Sequence, residues 1–172
     1  PALPAQALHV AVTVAGEDWR VEGVFAELRP DGLLRHRFAP PAAADYVEAW
    51  LAHLLLCASA PAGITPCTRL LARDAAFAFT PLPSESARAH LAALLEHYRA
   101  GLMQPLHFFP KSAWAYVEAG ESAAKAAARW RGGQRAEHGE SSDPAYRLAL
   151  RGVAQPLDDA FEAIAKAVLG PL

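Results

Sequence analysis

The segment AADYVEAWLAHLLLCA, residues 43–58, decides the fold because it is a helical segment placed between runs of strand-forming sequence. Its large apolar side chains recur at three- and four-residue spacing, the pattern of an amphipathic helix, at Tyr46, Val47, Trp50, Leu51, Leu54 and Leu55. Pro40 and Pro41 end the preceding segment. We predict a helix over residues 43–58.

Strands are predicted on both sides of this helix. Alternating β-branched residues indicate a hairpin at residues 8–14 and 19–28, and Pro30-Asp31-Gly32 indicates a turn into a third strand at residues 33–38. We expect these three strands to form a meander. Residues 67–73 and 77–79 indicate two short strands after the helix. This order predicts an α/β (α+β) fold with a mixed, roughly five-stranded sheet flanked by helices.

The second half of the chain is predicted to be helical. Ser84 is expected to cap a helix that ends near Gly101, and Ser112 to cap another that runs to residue 130, in which Gly120 could introduce a break. A last helix is expected from Pro156. With 172 residues the chain can bury one good core but is short for two ordinary domains, so we predict a single domain over residues 1–172.

Composition narrows the class of protein. Hydrophobic residues make up 53% and charged residues 20%, which is typical of a globular chain. The formal net charge of -2 excludes the strongly basic balance of an autonomous nucleic-acid-binding domain, so any DNA contact must be a local patch. Cys57 and Cys67 form no CxxC motif and fit a reducing, cytoplasmic location. No apolar run reaches the length of a membrane span.

Side chains that could carry catalysis are scattered. Glu22 and Glu27 are five residues apart on one predicted strand and therefore point to opposite faces, so they cannot share a metal unless a bulge intervenes. The histidines lack zinc spacing, and there is no GxSxG elbow and no glycine-rich phosphate loop. We therefore expect no catalytic residues and no metal site in this chain.

Basic residues cluster around the third predicted strand. Arg35 and Arg37 are two residues apart and so face the same side, whereas His36 faces the other, and Arg29 lies just before the turn. We predict DNA contacts at Arg29, Arg35 and Arg37. The alternative is ordinary solvated surface charge, which is common for isolated arginines.

Aromatic residues are concentrated in PLHFFPKSAWAY, residues 105–116. We predict a subunit interface formed by Phe108, Phe109, Trp114 and Tyr116. Packing in the core is the other open interpretation, since the two flanking prolines fix the backbone and the rings then fill volume. Stacking on unpaired bases is a third use of such rings.

Several segments together resemble a known family. They are DGLLRHRF (31–38), EAWLAHLLLCAS (48–59), LLEHYRAGLMQPLHFFPKSAWAY (94–116), HGESSDPAYRLALRG (138–152) and the final VLGPL. This succession is similar to the C-terminal domain of the bacterial exodeoxyribonuclease V gamma subunit, the RecC family. The aromatic run and Gly139-Glu140 are its most specific parts. The resemblance implies a fold like that of PD-(D/E)XK nucleases with the catalytic set lost.

The sequence motifs of an active nuclease of this type can be aligned with individual residues of this chain. An active relative would carry Gly-x-x-Asp on the second strand, where this chain has Gly23 but Ala26 at the aspartate position. It would carry two apolar residues and then Asp-x-Lys on the next strand, where this chain has Arg35 and Arg37. A guanidinium in place of a carboxylate repels Mg²⁺, so the resemblance implies an inactivated site.

The resemblance also implies a setting. The chain would be a C-terminal fragment of a longer gamma subunit that scaffolds the complex and guides DNA strands, with RecB-like beta and RecD-like alpha subunits as partners and double-stranded DNA ends as the substrate. The complex would be an ATP-dependent exodeoxyribonuclease whose ATP and Mg²⁺ lie on other subunits, and no cofactor is expected here. An active metal-dependent nuclease and a pure protein-interaction module remain the alternatives.

Overall fold

The computed structural model describes residues 2–133 and 138–172. The chain forms two compact units: unit 1 extends to Glu96 and includes Leu172, and unit 2 covers His97–Pro171. The prediction of a single folding domain over residues 1–172 stays a prediction, since two compact units can belong to one domain. In the described residues, no helix is both long and apolar enough to span a membrane.

Unit 1 begins with the predicted hairpin. Strands β1 (Gln6–Val14) and β2 (Glu17–Phe25) pair in antiparallel fashion and form a separate two-stranded sheet. Ala15 and Gly16 connect them, both with positive φ, which is the requirement of a two-residue hairpin turn. Alternate residues of β1 from Leu8 to Val14 are buried. The hairpin prediction is confirmed.

A second, four-stranded sheet lies in the order β3 (Leu28–Arg29), β4 (Gly32–Arg37), β5 (Thr68–Ala72) and β6 (Ala76–Phe79). β4 and β5 are parallel and are connected through helix α1 (Ala43–Ser59), whereas the other neighbours are antiparallel. The α/β class and the mixed sheet are therefore confirmed, and they are compatible with a nuclease-like fold.

The predicted three-stranded meander in a single sheet is wrong. The predicted strand at residues 19–28 bends at Ala26 and Glu27 and becomes two strands, β2 and β3. Phe25 and Leu28 are both buried although they are three residues apart, and a straight strand would place them on opposite faces. The chain must bend between them to bury both. With this bend, residues 2–133 and 138–172 contain six strands in two sheets instead of five strands in one.

The turn from β3 into β4 depends on Gly32. Its φ is +128°, and a Cβ at this position would lie 2.1 Å from the Cys67 carbonyl oxygen. The same carbonyl accepts a hydrogen bond from the Leu33 N–H at 2.8 Å. Only glycine allows this close approach between β4 and the start of β5.

Helix α1 is the centre of unit 1. All seven residues from Ala52 to Ala58 are buried, so both of its last turns are covered on every side. The predicted bounds of the helix are confirmed to within one residue. The amphipathic interpretation is wrong for the C-terminal half of the helix, because that half has no exposed face between Ala52 and Ala58. Leu51, expected on the buried face, is 42% exposed.

A buried polar group lies within this core. His53 is fully buried and stacked between Trp50 and Phe79. Its Nε2 lies 3.0 Å from the Thr80 carbonyl oxygen and its Nδ1 3.2 Å from Thr68 Oγ1. Because a carbonyl can only accept, we assign the proton to Nε2, and the Thr68 hydroxyl then donates to Nδ1. Burial holds the pKa of His53 below its usual value, against the hydrogen bond to Thr80, which raises the pKa.

The part of helix α2 (Ser84–Met103) that belongs to unit 1 contributes Ala87 and Leu91 to the core of that unit. Its predicted capping by Ser84 is wrong, because the hydroxyl of Ser84 donates to the Ala58 carbonyl at 2.9 Å instead. Arg88 donates to the same carbonyl and to that of Ala11. These bonds satisfy an orphan carbonyl at the end of α1. The helix also continues past Gly101.

Unit 2 contains four more helices among the described residues: α3 (Pro110–Glu118), α4 (Ala123–Arg131), α5 (Pro144–Ala149) and α6 (Asp159–Leu169). The break at Gly120 is confirmed. The last helix begins after Asp158, whose carboxylate accepts the Phe161 N–H at 3.0 Å, and not at Pro156. Short α5 was not predicted.

Phe109 is the centre of unit 2. Its ring centroid lies 4.3 Å from that of Trp130, 5.2 Å from that of Tyr146 and 5.9 Å from that of Phe161. Tyr116 is also buried and contacts Phe161. Aromatic packing of this kind adds to the free energy gained from burial alone.

The carboxylate of Glu140, which lies outside helix α3, binds the first turn of that helix. Its carboxylate is buried and accepts the Lys111 N–H at 3.1 Å and both the N–H and the hydroxyl of Ser112 at 2.8 Å. Gly139 lets the segment approach, since a Cβ there would lie 2.3 Å from the Trp130 carbonyl oxygen. The predicted capping role of Ser112 is wrong, because its hydroxyl donates to Glu140 and does not accept from the helix.

We expect Glu140→Ala to lower the free energy of unfolding of unit 2 by about 2 to 3 kcal/mol, because it leaves two buried donors of Ser112 and the part-buried Lys111 N–H without an acceptor. The measurement is urea unfolding followed by tryptophan fluorescence. Glu118→Ala is the matched control, since it removes an exposed carboxylate from the same helix. Equal midpoints for the two variants would contradict this role of Glu140.

The buried neutral imidazole makes unit 1 sensitive to acid. The pKa of His53 is lowered in the folded state, so below the ordinary value of 6.5 the unfolded chain binds a proton that the folded chain does not. The contribution of neutral His53 to the free energy of unfolding is therefore fully present above pH 6.5 and is lost as the pH falls below that value. We expect a smaller decrease in unfolding free energy between pH 7.5 and 5.5 for His53→Gln than for the wild type. The exposed His9→Gln control should keep the wild-type dependence.

Candidate functional site

A cleft of about 370 Å³ lies at the carboxyl end of β4, within unit 1. Its lining residues come from the end of β2 and the bend after it, from β4, from the first two turns of α1 and from β5. The residues that line it are Val24, Ala26, Glu27, Arg35, His36, Arg37, Asp45, Glu48, Ala49 and Leu70.

The cleft gathers the three positions that the nuclease comparison singled out. Ala26, Arg35 and Arg37 all line it, although Ala26 belongs to the bend and the arginines to β4. Arg35 and Arg37 are paired in register with Leu70 and Ala72 of β5, and their two-residue spacing places both on one side of the sheet, as predicted. The structure therefore brings together in space what the sequence shows as two separate motifs.

Arg37 is engaged with helix α1. Its guanidinium donates to one carboxylate oxygen of Asp45, and the other Asp45 oxygen accepts the Ala42 N–H at 2.6 Å. Asp45 therefore satisfies an orphan donor at the start of α1 and also pairs with the strand that precedes it. Because the Arg37 charge is compensated in this way, its first role in the fold is to join β4 to α1.

Arg35 has a different environment from Arg37. Its Nε is buried and has no hydrogen-bond partner among the described residues. The guanidinium carbon lies 6.0 Å from the centre of the Phe25 ring, at the limit of a cation–π contact. A buried donor on a charged group without an acceptor is costly to the stability of the fold.

The charges of the cleft are nearly balanced. Arg35 and Arg37 face three carboxylates, those of Glu27, Asp45 and Glu48. Glu27 Oε1 lies 3.0 Å from His36 Nδ1, on the rim of the cleft. The cleft is therefore not a strongly positive groove, and the net field alone would not concentrate a polyanion there.

The described residues place no three His, Cys, Asp or Glu side chains where they could hold one metal ion together. Within the cleft, Asp45 is already bonded to a guanidinium and to a backbone N–H, and Glu27 to an imidazole. The remaining carboxylate of the cleft, that of Glu48, lies on the exposed side of α1. This donor set does not fit a nuclease-type divalent cation.

The predicted arginine group is divided by the structure. Arg29 lies on β3 and lines a smaller depression of about 60 Å³ with Asp31 and Arg69, whose side chains are paired at 3.0 Å. It does not line the cleft that contains Arg35 and Arg37. A DNA contact by all three arginines would need a ligand that passes along both depressions.

The predicted interface residues have two different environments. Phe109 and Tyr116 are buried in unit 2, where they form its core, so the core-packing interpretation describes them in this chain. Phe108 and Trp114 are partly exposed. The interface remains a prediction that rests on these two.

Sequence reasoning missed the contribution of α1 to the cleft. Asp45 and Glu48 were assigned only to a helix. Asp45 does carry a signal, because an acidic residue three positions after a helix boundary commonly reaches back to the first backbone N–H. Its second bond, to Arg37, has no local signal.

Comparisons with known proteins identify the family of this chain. A model of the RecC C-terminal domain family matches residues 1–121, a range that contains the whole cleft. RecBCD enzyme subunit RecC from Escherichia coli (strain K12) is 33% identical over 115 residues, which are 67% of this chain and 10% of that protein. The chain thus spans about a tenth of the length of this relative. Gly139-Glu140 lies beyond the matched range, so that part of the resemblance stays a prediction. The chain belongs to the RecC C-terminal domain family.

Proposed function

We propose that this chain is the non-catalytic, nuclease-like domain of a RecC-type gamma subunit. The complex would be a RecBCD-type helicase–nuclease that acts in double-strand DNA break repair and recombination. The domain would contribute subunit scaffolding and DNA strand guiding. The observation that carries the proposal is the placement of Ala26, Arg35 and Arg37 in one cleft. The family resemblance implies that a nuclease of this type would hold two aspartates and a lysine at these positions.

The chemistry of these substitutions supports the loss of catalysis. A two-metal or one-metal nuclease needs carboxylates that converge on the cation and a cation-bound water as the nucleophile. Ala26 offers no ligand, and the Arg35 guanidinium carries a fixed positive charge that repels a divalent ion. Arg37 retains a positive charge at the lysine position, but Asp45 compensates it.

Arg35 is the residue that we propose for DNA contact. Phosphate oxygens are the acceptors that a guanidinium binds best, in a bidentate geometry, and Arg35 lines the cleft. Arg37 would contribute less, because it must share its charge with Asp45. One or two phosphate contacts would position a strand without reading its sequence.

The setting in a complex supports the scaffolding role. The E. coli relative is named as a subunit of the RecBCD enzyme, and this chain corresponds to a tenth of it. We propose RecB-like beta and RecD-like alpha subunits as partners, and that ATP and Mg²⁺ act on those subunits. Phe108 and Trp114 are the aromatic residues proposed to contact them.

A pure protein-interaction module is the second candidate. The observation that favours it is the near-balance of charge in the cleft, where Arg37 and Glu27 already have partners. Such a balance is common at the polar parts of protein interfaces and uncommon in nucleic-acid grooves.

We expect the chain to retard linear DNA at low salt and to leave it uncut in Mg²⁺ or Mn²⁺. Arg35→Ala should weaken binding and reduce the slope of log affinity against log salt by about 1, since one phosphate contact is lost. Arg20→Ala is the matched control, because Arg20 is exposed and paired with Glu22 on β2, outside the cleft. Gel shift and product gels on the same samples give both readouts.

Two results would decide against the proposal. Metal-dependent degradation that disappears in Glu27→Ala would identify an active nuclease. Binding that is equal in the wild type and in Arg35→Ala would remove the DNA contact and leave the interaction module.

A further inference from the structure

Strand β2 has an open edge in the part of the chain that the structure describes. Within residues 2–133 and 138–172, the hairpin sheet contains only β1 and β2, so each strand has one paired edge and one edge that no strand covers. Such an edge presents backbone N–H and C=O groups and is a template for a further strand. Because β2 runs over nine residues, its outer edge is long enough to hold one.

The outward backbone groups of β2 follow from the register of the hairpin. Val14 and Glu17 are partners in register and flank the two-residue turn, so they form a hydrogen-bonded pair. Every second residue of β2 counted from Glu17 therefore bonds to β1, and the residues between them direct their N–H and C=O groups away from β1. The residues that face outward, all with exposed side chains, are Asp18, Arg20, Glu22 and Val24.

The outer edge of β1 agrees with this alternation. Ala11 is the register partner of Arg20, and its carbonyl accepts a hydrogen bond from Arg88 Nη1 at 3.0 Å, from outside the ladder. Arg88 belongs to helix α2. The outer edge of β1 is therefore the one to which α2 supplies a donor, and the outer edge of β2 is the one that remains for a further strand.

We propose that the outer edge of β2 pairs with the same edge of a second copy of this chain, antiparallel and about a two-fold axis at Val21. In this register Val21 lies opposite Val21 of the second copy, and Arg20 of each copy lies opposite Glu22 of the other. A two-fold contact of this kind uses the same surface twice and closes on itself. The two hairpins then form one continuous antiparallel sheet.

The charges on the exposed face favour this register over its neighbours. Opposite charges placed directly across two strands are stabilising, and like charges are destabilising. A shift by two residues keeps the outward backbone groups in contact but places Arg20 opposite Arg20 or Glu22 opposite Glu22. A shift by four residues towards the turn pairs Asp18 with Arg20 but overlaps only residues 17–21, whereas the proposed register overlaps the whole of β2.

The other face of β2 is complementary in shape. Trp19 and Val21 are half-buried and pack against the core of unit 1. In the proposed register Trp19 lies opposite Gly23 of the second copy, where the missing side chain leaves room for the indole ring. Val21 meets its own counterpart, and β-branched residues pack well across neighbouring strands. The pairing therefore covers more of both apolar side chains.

An extended segment of another protein is the competing occupant. To match Arg20, Val21 and Glu22 in antiparallel pairing, it needs a basic, an apolar and an acidic residue in this order along its own chain. Strand β2 has this order itself, in Arg20-Val21-Glu22. The second copy is therefore the occupant that the sequence of β2 favours.

The test is sedimentation velocity of the 172-residue chain over a range of concentrations. We expect a monomer–dimer equilibrium, because pairing of one strand edge buries less area than a standard interface. Arg20→Glu and Glu22→Arg should each weaken dimerisation about tenfold, since like charges then meet at both symmetric positions. An equimolar mixture of these two variants should dimerise again, because every glutamate then faces an arginine. Arg151→Glu is the matched control, an exposed charge reversal in unit 2 that should keep wild-type dimerisation.

The mixture makes the test independent of any loss of stability in one variant. Recovery of the dimer in the mixture, with weakened dimerisation of each variant alone, supports the pairing. A wild-type chain that stays monomeric at all concentrations overturns it, and so does a dimer that both variants keep or that the mixture fails to recover. Because Arg35 takes no part in this contact, the DNA measurements on Arg35→Ala test the proposed function separately.

Discussion

Burial of helix α1 on every side over its last two turns is the constraint on which the rest of unit 1 depends. A helix that is apolar all around its axis must be covered by several elements. The β1–β2 hairpin, the four-stranded sheet and helix α2 all contribute to the core that contains it. The same helix connects the parallel strands β4 and β5, so its first turn lies beside the carboxyl end of β4. The position of the cleft is therefore a consequence of how α1 is buried.

We propose that the cleft is a nuclease-like arrangement that has lost its metal site. In this proposal, Arg37 occupies the position of the nuclease lysine but serves the fold, because it pairs with Asp45 at the start of α1. Arg35 lines the same cleft, and its buried Nε has no hydrogen-bond partner among the described residues. The two arginines, alike in sequence, thus have different environments, and we propose Arg35 for the DNA contact because Arg37 is already paired.

Much of the fold was predictable from local sequence, since turn residues and the apolar periodicity of α1 specify it. Gly32 is one example, because its proline-aspartate-glycine turn needs positive φ and the structure has it. The division of the sheet was not predicted, although Phe25 and Leu28 carry the signal in their odd spacing. Ser84 and Ser112 look like helix caps in sequence, but Ala58 and Glu140 compete for their hydroxyls from far along the chain. Such tertiary partners have no local signal, and the pairing of Arg37 with Asp45 in the cleft belongs to the same class.

We propose that the guanidinium groups of Arg35 and Arg37 stand where a nuclease would hold its cation. The most direct measurement is paramagnetic broadening of backbone amide signals in the ¹⁵N-labelled chain during a Mn²⁺ titration. We expect no saturable, selective broadening of the amides of Ala26, Arg35 and Asp45, because Ala26 offers no ligand and a guanidinium stands in place of a carboxylate at Arg35. Saturable broadening of these three signals at micromolar Mn²⁺, reversed by an excess of Mg²⁺, would contradict it.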